Sequence, residues 1–183
     1  AEFRQALDDC EHFVDKTLKL KRELEPDPQT DETGLPVMVW IHGGGNSTGS
    51  ANFQPEYYGD YLAGKANTVV VSINYRLGPF GWFTHPQLRA QETGNPLDAS
   101  GNYGTLDIIA ALRWIQQNIE AFGGDPGTVL ISGESAGAMN ILSLLISPEA
   151  RGLFSHALIQ SGVARSDSVE AGESIGLRVE SEL

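Results

Sequence analysis

The stretch Val129-Leu130-Ile131-Ser132-Gly133-Glu134-Ser135-Ala136-Gly137 runs from an apolar segment into a pentapeptide of the form G-x-S-x-G. Val129 to Ser132 reads as a buried strand. A helical pattern begins at Ser135 and stops before Pro148. Strand, tight turn and helix in that order are what a nucleophile elbow requires. The glycines have a physical reason. So sharp a turn holds the serine at strained backbone angles, and its neighbours two residues away must lack bulk. The hydroxyl is then lifted into the open at a helix N-terminus, where the dipole and free N–H groups favour a developing anion. Small residues often meet by chance, so the pentapeptide alone is also compatible with a plain Gly/Ala-rich helix start packed on a sheet.

The surrounding chain supplies the frame for that turn. Val37-Met38-Val39-Trp40-Ile41 is a continuous apolar run, read as a strand buried on both faces. Val69 to Ile73 is a second such strand and Ala157 to Gln160 a fourth. A helix is expected from Thr105 to Ala121, with Ile108, Leu112, Ile115 and Ile119 on one stripe and Gly123-Gly124 as its stop. A shorter helix is expected between Pro55 and Lys65. Residues 78–104, rich in Gly, Pro and Asn, read as a long loop, and residues from Ser168 onward as a weakly helical tail. Strands alternating with helices predict an α/β class with a parallel sheet and right-handed crossovers. At the N-terminus, Phe3, Leu7, Cys10, Val14 and Leu18 recur at helical spacing. Residues 17–22 alternate like a strand, and Pro26 to Pro36 reads as a surface loop.

A second motif, His42-Gly43-Gly44-Gly45, ends the first buried strand. A tetrahedral intermediate needs two or more N–H donors aimed at its oxygen. Glycines let the backbone approach closely and turn those groups inward. The N–H of Ala136, just after the serine, would complete such a hole. A Gly-rich turn without a role, or a phosphate loop, are the alternatives. No G-K-[ST] or G-x-G-x-x-G pattern follows, which counts against phosphate.

Composition bounds the partners. The 183 residues are enough for one domain with a sizeable core, and 40% hydrophobic with 20% charged residues is globular usage. A formal net charge of −12, from 24 acidic and 12 basic residues, argues against nucleic acid or an anionic membrane surface. A single cysteine, Cys10, makes neither an intrachain disulfide nor a structural zinc site. No apolar run approaches the ~20 residues of a membrane span, and the first residues lack a signal core. These features leave localisation open and predict no structural zinc site and no nucleic-acid partner.

Several segments in order carry a family resemblance. They are Phe122-Gly123-Gly124-Asp125-Pro126 leading through Val129–Ser132 into Gly-Glu-Ser-Ala-Gly, then Asn74-Tyr75-Arg76-Leu77-Gly78-Pro79-Phe80-Gly81-Trp82 and Gly101-Asn102-Tyr103-Gly104-Thr105-Leu106-Asp107, together with the His-Gly-Gly-Gly loop and Gln160-Ser161-Gly162. Over residues 35–165 the chain resembles the type B carboxylesterases, and bacterial members more than animal cholinesterases. The resemblance implies a partial α/β-hydrolase fold, a mostly parallel sheet with flanking helices, truncated at both ends. It implies hydrolysis of small-molecule carboxylic esters through an acyl-serine, with no metal and no cofactor. Ser135 becomes the nucleophile, Gly44, Gly45 and Ala136 the oxyanion donors, and Glu134 a supporting neighbour whose side chain points away from that of Ser135.

Two departures qualify it. Residues 1–34 match poorly: Asp8-Asp9-Cys10 is followed by Glu11-His12-Phe13, which does not continue the family's pattern. In α/β-hydrolases the order is Ser, acid, His, so both partners are expected beyond Leu183. The four histidines, His12, His42, His85 and His156, are poor substitutes: His42 lies in the oxyanion loop, and His156 precedes a strand and so falls at the far end of the sheet. The expectation is one partial hydrolase domain over 1–183, a fragment inactive alone. A catalytically dead binding or adhesion protein on the same fold is the alternative, one that typically lacks the nucleophile.

Overall fold

The computed structural model describes residues 33–91 and 93–182. The helix, strand, cysteine and histidine read within residues 1–32 lie outside them.

Four parallel strands make one sheet: β1 (Leu35–Ile41), β2 (Val69–Ile73), β3 (Gly124–Glu134) and β4 (His156–Gln160), in the order β2-β1-β3-β4. The α/β expectation is met. The helices are α1 (Asp60–Ala66), α2 (Pro86–Arg89), α3 (Tyr103–Asn118), α4 (Ala136–Ile146) and α5 (Val169–Glu182). Each apolar run named from sequence forms its strand. β3 alone is much longer than its run, because Gly124 already pairs with Leu35 before the register jumps to Val37↔Val129. Asp125 closes the extra turn, accepting from the Gly127 N–H at 2.8 Å and the Thr128 hydroxyl at 2.6 Å.

The expected stripe of α3 is the middle of the core. Ile108, Leu112, Ile115 and Ile119 are all at most 1% exposed, against Val37, Val39, Ile41, Val71, Val129 and Ile131 of the sheet. Ile141 and Leu144 of α4 complete this layer. Emptying one such site, Leu112→Ala for example, costs about 2–5 kcal/mol. The helix itself ends at Asn118, and a 3₁₀ turn covers Ile119–Phe122 until Gly123, at φ 82°, stops it.

Three expectations need adjustment. The segment after Pro55 is a 3₁₀ turn (Pro55–Tyr58) and then α1, divided by Gly59 at φ 75°. A side chain at Gly59 would start 2.3 Å from Val70 Cγ1, so the break lets the chain pass close over β2. The long loop 78–104 contains three short helical turns, each with proline in its first positions. Finally, β1 is not buried equally on both faces. Val37, Val39 and Ile41 are sealed, whereas Met38 and Trp40 are only partly covered and line an open groove of about 360 Å³ with Leu62, Val70 and Leu158.

Asp107 on α3 ties the exit of β2 to the layer above it. Its carboxylate accepts from Arg76 Nε at 2.8 Å, Nη2 at 2.7 Å and the Arg76 backbone N–H at 2.9 Å. The two sequence segments that contain these residues are thus a single structural unit.

Candidate active site

β1 and β3 are neighbours in register, with Ile41 opposite Gly133. Whatever follows the two strands therefore emerges side by side at the C-terminal edge of the sheet. His42-Gly43-Gly44-Gly45 follows β1, and Ser135 follows β3. The sheet topology alone brings the two motifs together.

Ser135 sits at φ 55°, ψ −118°, a left-handed backbone state that a side chain rarely adopts. It is held there at both ends. Its N–H donates to Gln160 O at 2.9 Å, and its carbonyl accepts from Met139 N at 3.0 Å as α4 begins. The glycines two residues away are sterically required. A Cβ on Gly137 would lie 2.0 Å from Ile41 O, and one on Gly133 would lie 2.7 Å from the Gly137 carbonyl carbon. The serine is half-buried and makes no cap to its own helix, so its hydroxyl is not tied to α4.

Gly43 abuts the elbow: a Cβ there would lie 2.8 Å from Glu134 O, 3.0 Å from Glu134 Oε2 and 3.2 Å from Ser135 Cβ. Glu134, half-buried, thus lies beneath the first glycine of the loop. Gly44 (φ 106°) and Gly45 (φ 63°) are exposed. Among the described residues no backbone carbonyl takes their N–H groups. Ala136 is the first residue of α4, where an N–H has no acceptor within the helix. Gly44, Gly45 and Ala136 thus lie on the two segments that meet where Gly43 abuts Ser135.

His42 is buried (1% exposed) and stacked on Tyr75, with ring centroids 4.5 Å apart. Its Nδ1 lies 2.8 Å from Gly43 O. Burial pulls its pKa below the usual imidazole value, partly offset by that carbonyl. Tyr75 donates to His42 O at 2.6 Å, and burial pushes its phenol up to about 12, with the Asn140 amide acting in the opposite sense. His85 caps α2 by accepting from Gln87 N and faces Glu180 at 3.2 Å. His156 opens β4 beside Ser155 Oγ. The four-residue step to Gln160 puts it about 13 Å down the strand from the elbow. Among the described residues no histidine hydrogen-bonds Ser135, and no group of three or more His, Cys, Asp or Glu is arranged to hold a metal ion. No helix among them is long and apolar enough to cross a membrane.

The carboxylesterase family profile matches residues 21–175. The chain belongs to the carboxylesterase family. It is 46% identical over 147 residues to para-nitrobenzyl esterase of Bacillus subtilis (strain 168), a match covering 80% of this chain and 28% of that protein. It is 51% identical over 132 residues to human cocaine esterase, covering 72% and 22%. A solved thermophilic pNB esterase superposes with a TM-score of 0.73 at 45% identity, over 82% of this chain and 29% of that one. The carboxylesterase of Geobacillus stearothermophilus at pH 6.2 gives 0.74 at 43% identity, over 85% and 32%. The four-stranded sheet with its flanking helices is thus part of an α/β-hydrolase fold. The chain spans about a fifth to a third of the carboxylesterases it matches.

Sequence reasoning missed Tyr75 as a buried prop of the His-Gly-Gly-Gly loop, and it missed Asn46 and Asn140. A signal for Asn140 exists. It is an amide within the otherwise apolar run Ala138-Met139-Asn140-Ile141-Leu142.

Proposed function

We propose that this chain is the nucleophile-bearing segment of a longer serine carboxylesterase. The observation that carries the reading is the backbone of Ser135, strained at φ 55° and ψ −118° beside the Gly43–Gly45 loop. Strain of that kind persists only where the surroundings over-determine it, and it clusters at sites of chemistry. Intact serine and glycines count against the adhesion reading.

The chemistry follows from the parts. Ser135 Oγ attacks the acyl carbon of a carboxylic ester while a base takes its proton. Negative charge moves to the former carbonyl oxygen, where the N–H groups of Gly44, Gly45 and Ala136 receive it. Collapse expels the alcohol, protonated by the same base, and leaves an acyl-serine. Water activated by that base then releases the acid. Glu134 supports the elbow and the loop from beneath Gly43. The base and its acid partner come from sequence outside residues 1–183, and no metal or cofactor is required.

In the full-length esterase, Ser135→Ala should lower kcat on p-nitrophenyl butyrate by about 10⁶, as loss of a nucleophile does in comparable triads. A variant that kept a tenth of the turnover would refute the assignment.

A further inference from the structure

The loop that carries Gly44 and Gly45 is fastened to the nucleophile helix by two side chains that the steps above do not use. Asn46 follows Gly45 directly and adopts φ 57°, a left-handed state asparagine tolerates. Asn140 lies on α4, directly after Met139, whose N–H donates to Ser135 O, and is 4% exposed. Their amides face one another. Asn140 Nδ2 donates to Asn46 Oδ1 at 3.0 Å, and Asn46 Nδ2 donates to Asn140 Oδ1 at 3.4 Å.

The remaining hydrogen bonds of the loop go elsewhere. Ser47 and Thr48 N–H groups return to Gly44 O within the loop. Gly78 N donates to Asn46 O at 2.6 Å, and Tyr75 Oη to His42 O, both from the chain after β2. Among the described residues, the amide pair is the only direct hydrogen-bonded link from this loop to α4, and Asn140 also interacts with the Tyr75 phenol that holds His42 O. Two of the three candidate donors, Gly44 and Gly45, are on an exposed loop with little side-chain contact, and the third, Ala136, is on α4. Their convergence on one oxygen depends on the spacing of two separate elements. An amide buried in an apolar helix is costly unless bonded, and here its partner is the residue next to those donors.

We propose that the Asn46–Asn140 pair is a positioning clamp that sets the oxyanion loop against the nucleophile helix; this rests on the esterase reading above. A displaced donor weakens the transition state and leaves ground-state binding almost unchanged. The clamp therefore acts on kcat.

The test uses the full-length esterase with N46A, N140A, N46D and the N46A/N140A double variant. Turnover of p-nitrophenyl butyrate is measured beside inhibition by a trifluoromethyl ketone, whose serine adduct carries an oxygen in the anion's place. Fluorophosphonate titration counts intact nucleophiles. Each alanine variant should lower kcat about ten-fold, less than the ~10²–10³ of a donor removed outright. KM should stay within about two-fold, and ketone affinity should fall by the same factor as kcat/KM. The double variant should be no worse than N140A, because the amide pair is broken once and N140A alone already carries the added loss of the Tyr75 contact. N46D, which keeps an acceptor for Asn140 Nδ2, should recover part of the loss. If N140A fails to fold, the comparison of N46A with N46D at the half-buried loop position decides alone. Additive losses, a raised KM with kcat intact, or an unchanged ketone affinity would overturn the clamp. Wild-type turnover that survives Ser135→Ala would instead overturn the esterase reading, and the clamp with it.

Discussion

The glycines of the His-Gly-Gly-Gly loop differ in what they permit. Gly44, at φ 106°, would put a Cβ 2.2 Å from Thr48 O, whereas Gly45, at φ 63°, has open space around it. Gly44→Ala should therefore cost the full value of a lost donor, about 3 kcal/mol and a hundred-fold or more in kcat, with KM little changed. Gly45→Ala should cost distinctly less, since alanine can enter the left-handed region at a cost of about 1–2 kcal/mol. Steady-state kinetics of the two variants checks this order. Gly45→Ala as damaging as Gly44→Ala would mean that steric clash is not what separates them. At single residues the candidate site was legible where a tight turn demands a rare residue pattern. Ser135 and its glycines were readable because few other residues survive so tight a turn. Tyr75 and Asn46 were not, because their roles come from partners 33 and 94 residues away that no local pattern announces.

Strands and helices were legible in proportion to how fully they bury one face. The runs that became β1, β2 and β3, and the stripe on α3, were plain because the core they share repeats every second or every fourth residue. Element ends were less so. The start of β3 depends on a register jump against β1, and the break before α1 depends on the nearness of Val70 to Gly59. The His42 turn that joins β1 to the glycine loop carries a pH signature. The folded-state pKa of His42 lies below its ordinary 6.5. As pH falls, the unfolded chain takes up that proton first, so the stabilising contribution is present above about 6.5 and is lost below it. The thermal midpoint should accordingly drop between pH 8 and pH 5, and His42→Gln should flatten the decline. Equal slopes in wild type and variant would show that His42 titrates alike in both states.

Among the described residues the sheet has one well-covered face and two edges without a further strand. β2 and β4 each pair on one side alone among the described residues, and β4 is exposed along most of its length, with Leu158 45% exposed. Parallel strands are ordinarily covered on both faces, and unpaired apolar edges invite association. Residues 1–183 produced alone should aggregate or unfold broadly, and should not turn over p-nitrophenyl butyrate above a residual ~10³–10⁴-fold advantage over water. A monodisperse monomer with a sharp transition and robust turnover would show that the sheet and a base are both self-sufficient here. This openness was only half legible: continuous apolar runs announce burial on two faces, but they do not say which other part of a protein does the covering. The central claim is that Ser135 carries the acyl group. Its most direct test is peptide mass spectrometry of the full-length enzyme after reaction with a fluorophosphonate, with turnover followed in parallel. One adduct per chain is expected, on the peptide containing Ser135, growing in as activity disappears. An adduct on another residue, or full labelling of Ser135 with activity intact, would contradict it.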